Sequence, residues 1–327
     1  MSDALLSACQ AVLERAEHVK LVDDRLTKMA QTAPPHLLAV PDWRREAGSF
    51  AGHADDTITW LMIHNAINFC YWPDPEQPRW YTQVDGELIG QDDEAFGVMA
   101  ALGSAIRSGV PMGDFRWLQQ IEADELAALL APAPGAGKLP MMRERLAALQ
   151  ELGGAKRLYS SPPSIFEAAR GSAARFVQLL IDASPSFEDT QVYENISLPF
   201  RKRAWLCAAM IFGRFQDDPI RAFHDPEVIP VFADYRLPQL LRGAGALVLS
   251  DDLARRIDAE EQIAADSREE IELRAAAVVA AERLREELGV IHGVPPMRLQ
   301  VDHFLWRTAV QVDAQLPPFH RTRTTRY

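Results

Sequence analysis

Apolar residues along this chain recur mostly at helical spacing. Leu5, Leu6, Val12, Leu13 and Ala16 predict one or two helices within residues 3–32. Ala33-Pro34-Pro35 interrupts that pattern, and an irregular passage from Pro41 lasts to about His53. Asp55 and Asp56 then open a helix through Ile58, Leu61, Met62, Asn65 and Phe69. Further helices are predicted near residues 94–106, 114–118, 122–130, 141–152, 163–171, 173–183 and 199–215. A helix also follows Asp234, ending at a Gly-x-Gly turn. The acidic segment after Ser250 reads mostly as one long helix, with a capping-box pattern at Ser267-Arg268-Glu269-Glu270, and residues 301–306 read as helix again.

Strand signals are few. Trp80-Tyr81-Thr82-Gln83-Val84, Asp85-Gly86 and Leu88-Ile89 form a hairpin pattern, and residues 190–193 and 196–198 look extended. The expectation is a mainly α fold with one or two small β-hairpins. No repeat or clean linker divides the chain. Its 327 residues therefore fit a single compact helical unit over 1–327, or two intimately packed helical lobes with a cleft between them.

Composition narrows the function classes. Net charge is −12, which argues against a partner such as polymeric DNA or RNA, whose phosphates demand a basic footprint. Half of that charge lies in residues 251–287, with twelve acids and six bases, whereas residues 319–327 carry Arg321, Arg323, Arg326 and His320 with no acid, a potential local anion site. No apolar run is long enough to span a membrane, and the acidic, helical N-terminus is unlike a signal peptide. Cys9, Cys70 and Cys207 are far apart and suggest neither disulfide nor zinc site, which fits a reducing cytoplasm. The eight histidines lack metal-ligand spacing, so no metal and no cofactor is expected. The loop Ala131–Pro140 fails the phosphate-loop pattern: Pro132 stands at its first glycine and Leu139 follows Lys138.

What remains is carboxylates, aromatics and scattered bases. Asp234 lies between Phe232, Tyr235 and Arg236. Two readings stand: Asp234 caps a helix while the rings are core, or a partly dehydrated carboxylate is aimed at a forming cation. Asn68-Phe69-Cys70-Tyr71-Trp72 is either a core plug or a stacking wall for a flat ligand. Arg201-Lys202-Arg203 at a helix start opposes the helix dipole, so it is a solvated basic patch or the seat of an anion. Asp302 and Trp306, four apart, share a helix face.

Several of these pieces together resemble the queuosine salvage family. They are Phe232-Ala233-Asp234-Tyr235-Arg236-Leu237-Pro238-Gln239, Gly245-Ala246-Leu247, Ser250-Asp251-Asp252-Leu253, Glu270-Ile271-Glu272-Leu273-Arg274, Asp302-His303-Phe304-Leu305-Trp306 and Pro318-Phe319-His320-Arg321, with Asn68–Trp72 and Lys202-Arg203-Ala204 upstream. They run in order over nearly the whole chain. The loop around Pro132 and Pro134 departs as a local insertion, and His303-Phe304 replaces a more usual aromatic pair.

The resemblance implies an N-glycosidase that cleaves queuosine 5′-monophosphate to queuine and ribose 5-phosphate, queuine then being taken up by tRNA-modifying enzymes. It implies a helical fold similar to helix-hairpin-helix DNA glycosylases, residues 237–245 being the corresponding hairpin. Asp234 would be the catalytic carboxylate and Lys202 a phosphate or leaving-group contact. Asp302 would contact base or diol, Phe232, Phe69, Tyr71 and Trp306 would stack on the 7-deazaguanine, and Tyr235 and His53 would reach the ligand. The partner is then a small nucleotide, with no membrane and no polymer. Two rivals are a DNA or tRNA glycosylase, and a non-enzymatic helical protein acting through residues 251–287, which predicts Asp234 and Asp302 far apart.

Overall fold

Short polar side chains begin many of the helices. Asp93 accepts the Ala95 N–H, Asp114 that of Arg116 and Ser172 that of Arg175, starting α4 (Glu94–Arg107), α5 (Phe115–Gln120) and α9 (Ala173–Ala183). The computed structural model describes residues 2–44, 46 and 48–327, and among them the fold is mainly α: fourteen α-helices and three two-stranded antiparallel pairs. Two pairs are the expected local hairpins, β2 (Thr82–Val84) with β3 (Glu87–Ile89), and β4 (Thr190–Tyr193) with β5 (Ile196–Pro199).

The third pair is a correction to the sequence reading. β1 (Val19–Leu21), expected as helix, pairs with β6 (Leu247–Leu249) in the register Val19↔Leu249. Consequently α1 (Ser2–Leu13) and α2 (Asp23–Thr32) are separate, and the helix after Asp234, α11 (Arg236–Gly243), leads through Gly245 into a strand. Gly245 has φ +71°, the left-handed geometry that favours glycine at such a turn.

Helix boundaries also move. α3 (Ala54–Ala66) stops before Phe69. The segment after Ser250 is two helices, α12 (Asp251–Asp258) and α13 (Arg268–His292). The capping box is half made: Ser267 accepts the Glu270 N–H, but the Glu270 carboxylate turns to the Asp266 N–H, Gln191 and the Tyr327 hydroxyl. The loop that failed the phosphate pattern is a connector laid on the first hairpin. Its Gly137 donates to the Arg79 carbonyl, and a Cβ there would lie 1.8 Å from the Pro78 oxygen.

Two large apolar clusters form the interior. One gathers Trp60, Leu61 and Ile63 of α3 with Val98 and Met99 of α4 and Cys207, Ala208 and Ile211 of α10 (Lys202–Phe215). The other gathers Leu26, Leu240, Leu241, Val301 and Leu305 around α13. Ala276, Ala277, Ala280 and Ala281 let α2, α11 and α14 (Arg298–Gln311) approach α13 closely, while α1 packs on its other face at Ala275, Val278 and Val279. Among the described residues no helix is long and apolar enough to cross a membrane.

Candidate active site

The bases at the start of α10 do not converge. Arg201 has φ +50°, and this left-handed residue turns the chain from β5 into the helix, its N–H donating to the Asp189 carbonyl. The three side chains fan out as a result. Arg201 pairs with Glu188, and Arg203 turns into the core, donating to the Asn65, Ala66 and Ser186 carbonyls. Lys202 alone enters a cleft, while its N–H is taken by Asp189 Oδ2 at 3.2 Å. Of the three bases, this helix start therefore offers the cleft one buried ammonium, neither a solvated basic patch nor a converging triplet.

Opposite Lys202 lies the segment from Val231 to Arg236. The Phe232 N–H donates to Asp302 Oδ1 at 2.8 Å, fixing the loop to α14. Asp234 Oδ1 accepts the Arg236 N–H at 2.8 Å, so its side chain caps the start of α11 from the position before the N-cap residue Tyr235. Its other oxygen, Oδ2, lies 3.7 Å from Lys202 Nζ, with both side chains largely buried (13% and 8% exposed). Cap and cleft carboxylate are therefore two oxygens of one side chain.

The walls are aromatic. Phe69 and Tyr71 come from the segment after α3, where Cys70 is held at φ +40°. Buried Arg145 staples that segment, donating to the carbonyls of Ile67, Phe69 and Cys70 and lying over both rings. The facing wall is His303 stacked on Trp306, with ring centroids 5.9 Å apart, and Trp43 and Phe96 against Trp306. Phe232 and Tyr235 close the cleft, Tyr235 resting on Phe319 at 4.6 Å. The unfilled space comes to about 890 Å³, part of it continuous with solvent.

Burial governs the charges here. It pushes the Asp302 carboxyl well above the usual carboxylate range, and nearby Asp234 adds to this while the Phe232 N–H and Lys202 oppose it. Asp93, also lining the cleft, is raised by burial too. Burial lowers Lys202, against the pull of Asp234 and Asp302. His64, buried on α3 at the cleft, is driven down to about 3 by burial, helped by Lys202 and Arg145, and its Nδ1 has no hydrogen-bond partner among the described residues.

This histidine gives stability a pH dependence. An unfolded histidine holds its proton below about 6.5, whereas folded His64 stays neutral down to about 3, so protonation favours unfolding as pH falls through that window. From pH 7 to pH 5 the group is expected to remove about 2 kcal/mol of stability. Asp302 and Asp93 act in the opposite sense, because a raised carboxyl loses stability as pH rises through its window. The measurement is therefore a difference: urea unfolding of wild type and His64→Gln at both pH values. Equal pH dependence in the two proteins would rule the effect out.

Eight of the residues singled out in the sequence line this cleft: Phe69, Tyr71, Lys202, Phe232, Asp234, Tyr235, Asp302 and Trp306. Asp234 and Asp302 share it, contrary to what the interaction-protein alternative predicts. His53 is not among the lining residues; it is exposed at the N-cap of α3. His64, three helical turns on, is the histidine of α3 that reaches the cleft. Trp43, Phe96 and Asp93 line it as well, and nothing local in the sequence singled them out; His303, noted only as a departure from the family pattern, lines it too. In the basic tail, Arg321, Arg323 and Arg326 pair with Glu260, Asp74 and Asp266.

The family described as queuosine salvage protein matches residues 49–327. A protein of Sphaerobacter thermophilus called queuosine 5′-phosphate N-glycosylase/hydrolase is 32% identical over 325 residues, covering 99% of this chain and 97% of that one. Proteins of the same description from mouse and from Schizosaccharomyces pombe are each 26% identical, covering 97% and 83% of this chain and 96% and 83% of their own.

Proposed function

Because the chain belongs to the queuosine salvage protein family, we propose that it hydrolyses the N-glycosidic bond of queuosine 5′-monophosphate, releasing queuine and ribose 5-phosphate for salvage toward tRNA modification. The observation that carries this reading is the Lys202–Asp234 pair, 3.7 Å apart in an aromatic cleft. Breaking an N-glycosidic bond builds positive charge on the ribose and negative charge on the departing base. Asp234 Oδ2 faces the first charge and Lys202 Nζ the second. Water supplies the oxygen that ends on C1′ and the proton that ends on the base. Substrate filling the cleft would displace its water, so both fixed charges would act at short range and low dielectric.

The aromatic walls suit a flat 7-deazaguanine, with Phe232, Phe69, Tyr71 and Trp306 as stacking surfaces. Queuine carries a secondary amine on its cyclopentenediol arm. Asp302 and Asp93, both held toward the neutral form by burial, are the acids placed to regain their charge against that cation. The cleft draws on both apolar clusters, which we read as two packed lobes of one unit. Three free, buried cysteines fit a reducing cytoplasm.

A mononucleotide fits the charge pattern better than a polymer does. The chain is strongly acidic, and the cations of residues 319–327 are spent on acids. Incubation with queuosine 5′-monophosphate, free queuosine and queuosine-containing tRNA side by side, with queuine detected by mass, is expected to give fastest release from the monophosphate. Equal or faster release from intact tRNA would make the protein a polymer glycosylase instead.

A further inference from the structure

The Lys202–Asp234 pair joins two segments distant in sequence, and at 3.7 Å it is too long to be a short hydrogen bond that holds itself in place. What fixes both segments lies directly behind the cleft. Arg274, in the second turn of α13 and fully buried, donates through Nε to the Ala233 carbonyl at 3.0 Å. Its Nη1 donates to Asp189 Oδ1 at 2.8 Å and its Nη2 to Asp189 Oδ2 at 2.6 Å. Asp189 Oδ2 in turn accepts the Lys202 N–H, and the Asp189 carbonyl accepts that of Arg201. One guanidinium–carboxylate unit thus grips the residue before Asp234 and Lys202 itself.

The plane of that unit is also fixed. Phe200 lies 4.0 Å from the guanidinium carbon and Tyr327 4.6 Å, measured to the ring centroids. The Tyr327 hydroxyl donates to Glu270, one turn earlier on α13. Neither Arg274 nor Asp189 lines the cleft.

We propose that the buried Arg274–Asp189 pair is a positioning device that sets the spacing of Lys202 and Asp234. The proposal rests on the reading of those two residues as the reacting pair. A buried ion pair is often no more stabilising than apolar residues of equal volume, so stability alone is a poor reason for one here. A planar fork offers fixed geometry, which a flexible ammonium does not.

Arg274→Lys keeps the charge and loses the fork. It is expected to lower kcat on queuosine 5′-monophosphate roughly 10²-fold, the scale of a displacement near 1 Å. KM and the affinity for queuine are expected to stay within about threefold of wild type, because Tyr327, the cleft-lining ring that Arg274 lies over, stays held by its bond to Glu270. Glu272→Gln is the control. Glu272 is buried on the same helix but binds the N–H groups of Glu17 and His18 and the Tyr193 hydroxyl, away from the cleft. It should lower the melting temperature and leave kcat per folded molecule unchanged.

Wild-type kcat in folded Arg274→Lys overturns the proposal, as does a fall in kcat matched by an equal fall in queuine affinity. Should that variant fail to fold, Asp189→Asn carries the same expectation, since it keeps the size and an acceptor for the Lys202 N–H. Failure of both to fold makes the pair structural and sinks the positioning role. Asp234→Asn, assayed alongside, separates the two levels. Wild-type turnover there removes the underlying reading, whereas an inactive Asp234→Asn beside a fully active Arg274→Lys removes only the clamp.

Discussion

Asp234→Asn is expected to fold as the wild type does and to release queuine from queuosine 5′-monophosphate at least roughly 10³-fold more slowly. The two oxygens of this side chain have separable duties. Oδ1 caps α11 through the Arg236 N–H, and an asparagine oxygen caps as well as an aspartate oxygen. Oδ2 faces Lys202 across the cleft, and there a neutral amide cannot replace the charge. Asp234→Ala removes both functions, so it should lose the same activity and in addition about 1 kcal/mol of stability. Urea unfolding and mass-detected queuine, measured on both variants, check the pair of outcomes. If Asp234→Asn turns over at the wild-type rate, the carboxylate is only a cap and the catalytic assignment is wrong.

That separation bears on what could be read from the chain. A cap and a catalytic acid are rival readings of the letters around Asp234, because a sequence names the residue and not its two oxygens. The basic triplet shows a related gap. Arg201-Lys202-Arg203 reads as three charges on one helix start, yet the left-handed turn at Arg201 sends them three ways, and no glycine marks that turn. Asp302 and Trp306 were placed on one face by helical spacing alone, and both line the cleft.

Features made by distant contacts were not legible. β1 pairs with a strand more than two hundred residues away, so its local pattern passed for helix. His64 sits among apolar residues on α3 and reads as core, while His53, named only through the resemblance, is exposed. The Trp43–His303–Trp306 wall joins an irregular loop to α14, a meeting that neither segment announces by itself. Helices and hairpins follow from short-range periodicity; the electrostatics of the site follow from burial, which only the assembled fold supplies.

Lys202→Met tests the other half of the reacting pair. Methionine fills similar space on an unbranched stem, so the change removes the ammonium with little loss of packing. The Nζ atom lies 3.7 Å from Asp234, which faces C1′ in the proposed complex, whereas the 5′-phosphate is several bonds away along the ribose. Lys202 should therefore act on the departing base, and its loss should lower kcat roughly 10²–10³-fold while moving KM little. A phosphate contact predicts the reverse, a raised KM with kcat standing. Alkaline pH supplies a second reading of the same group. Burial, with Arg203 adding to it, lowers Lys202 below the usual 10.5 against the opposing pull of Asp234, Asp302 and Asp93. The required cation is lost as pH rises through that lowered value. The wild-type kcat profile should then fall on its alkaline side below the ordinary lysine range, and Lys202→Met should show a low rate without that limb. An unchanged alkaline limb in the variant would assign it to another group and leave Lys202 without a part in the chemistry.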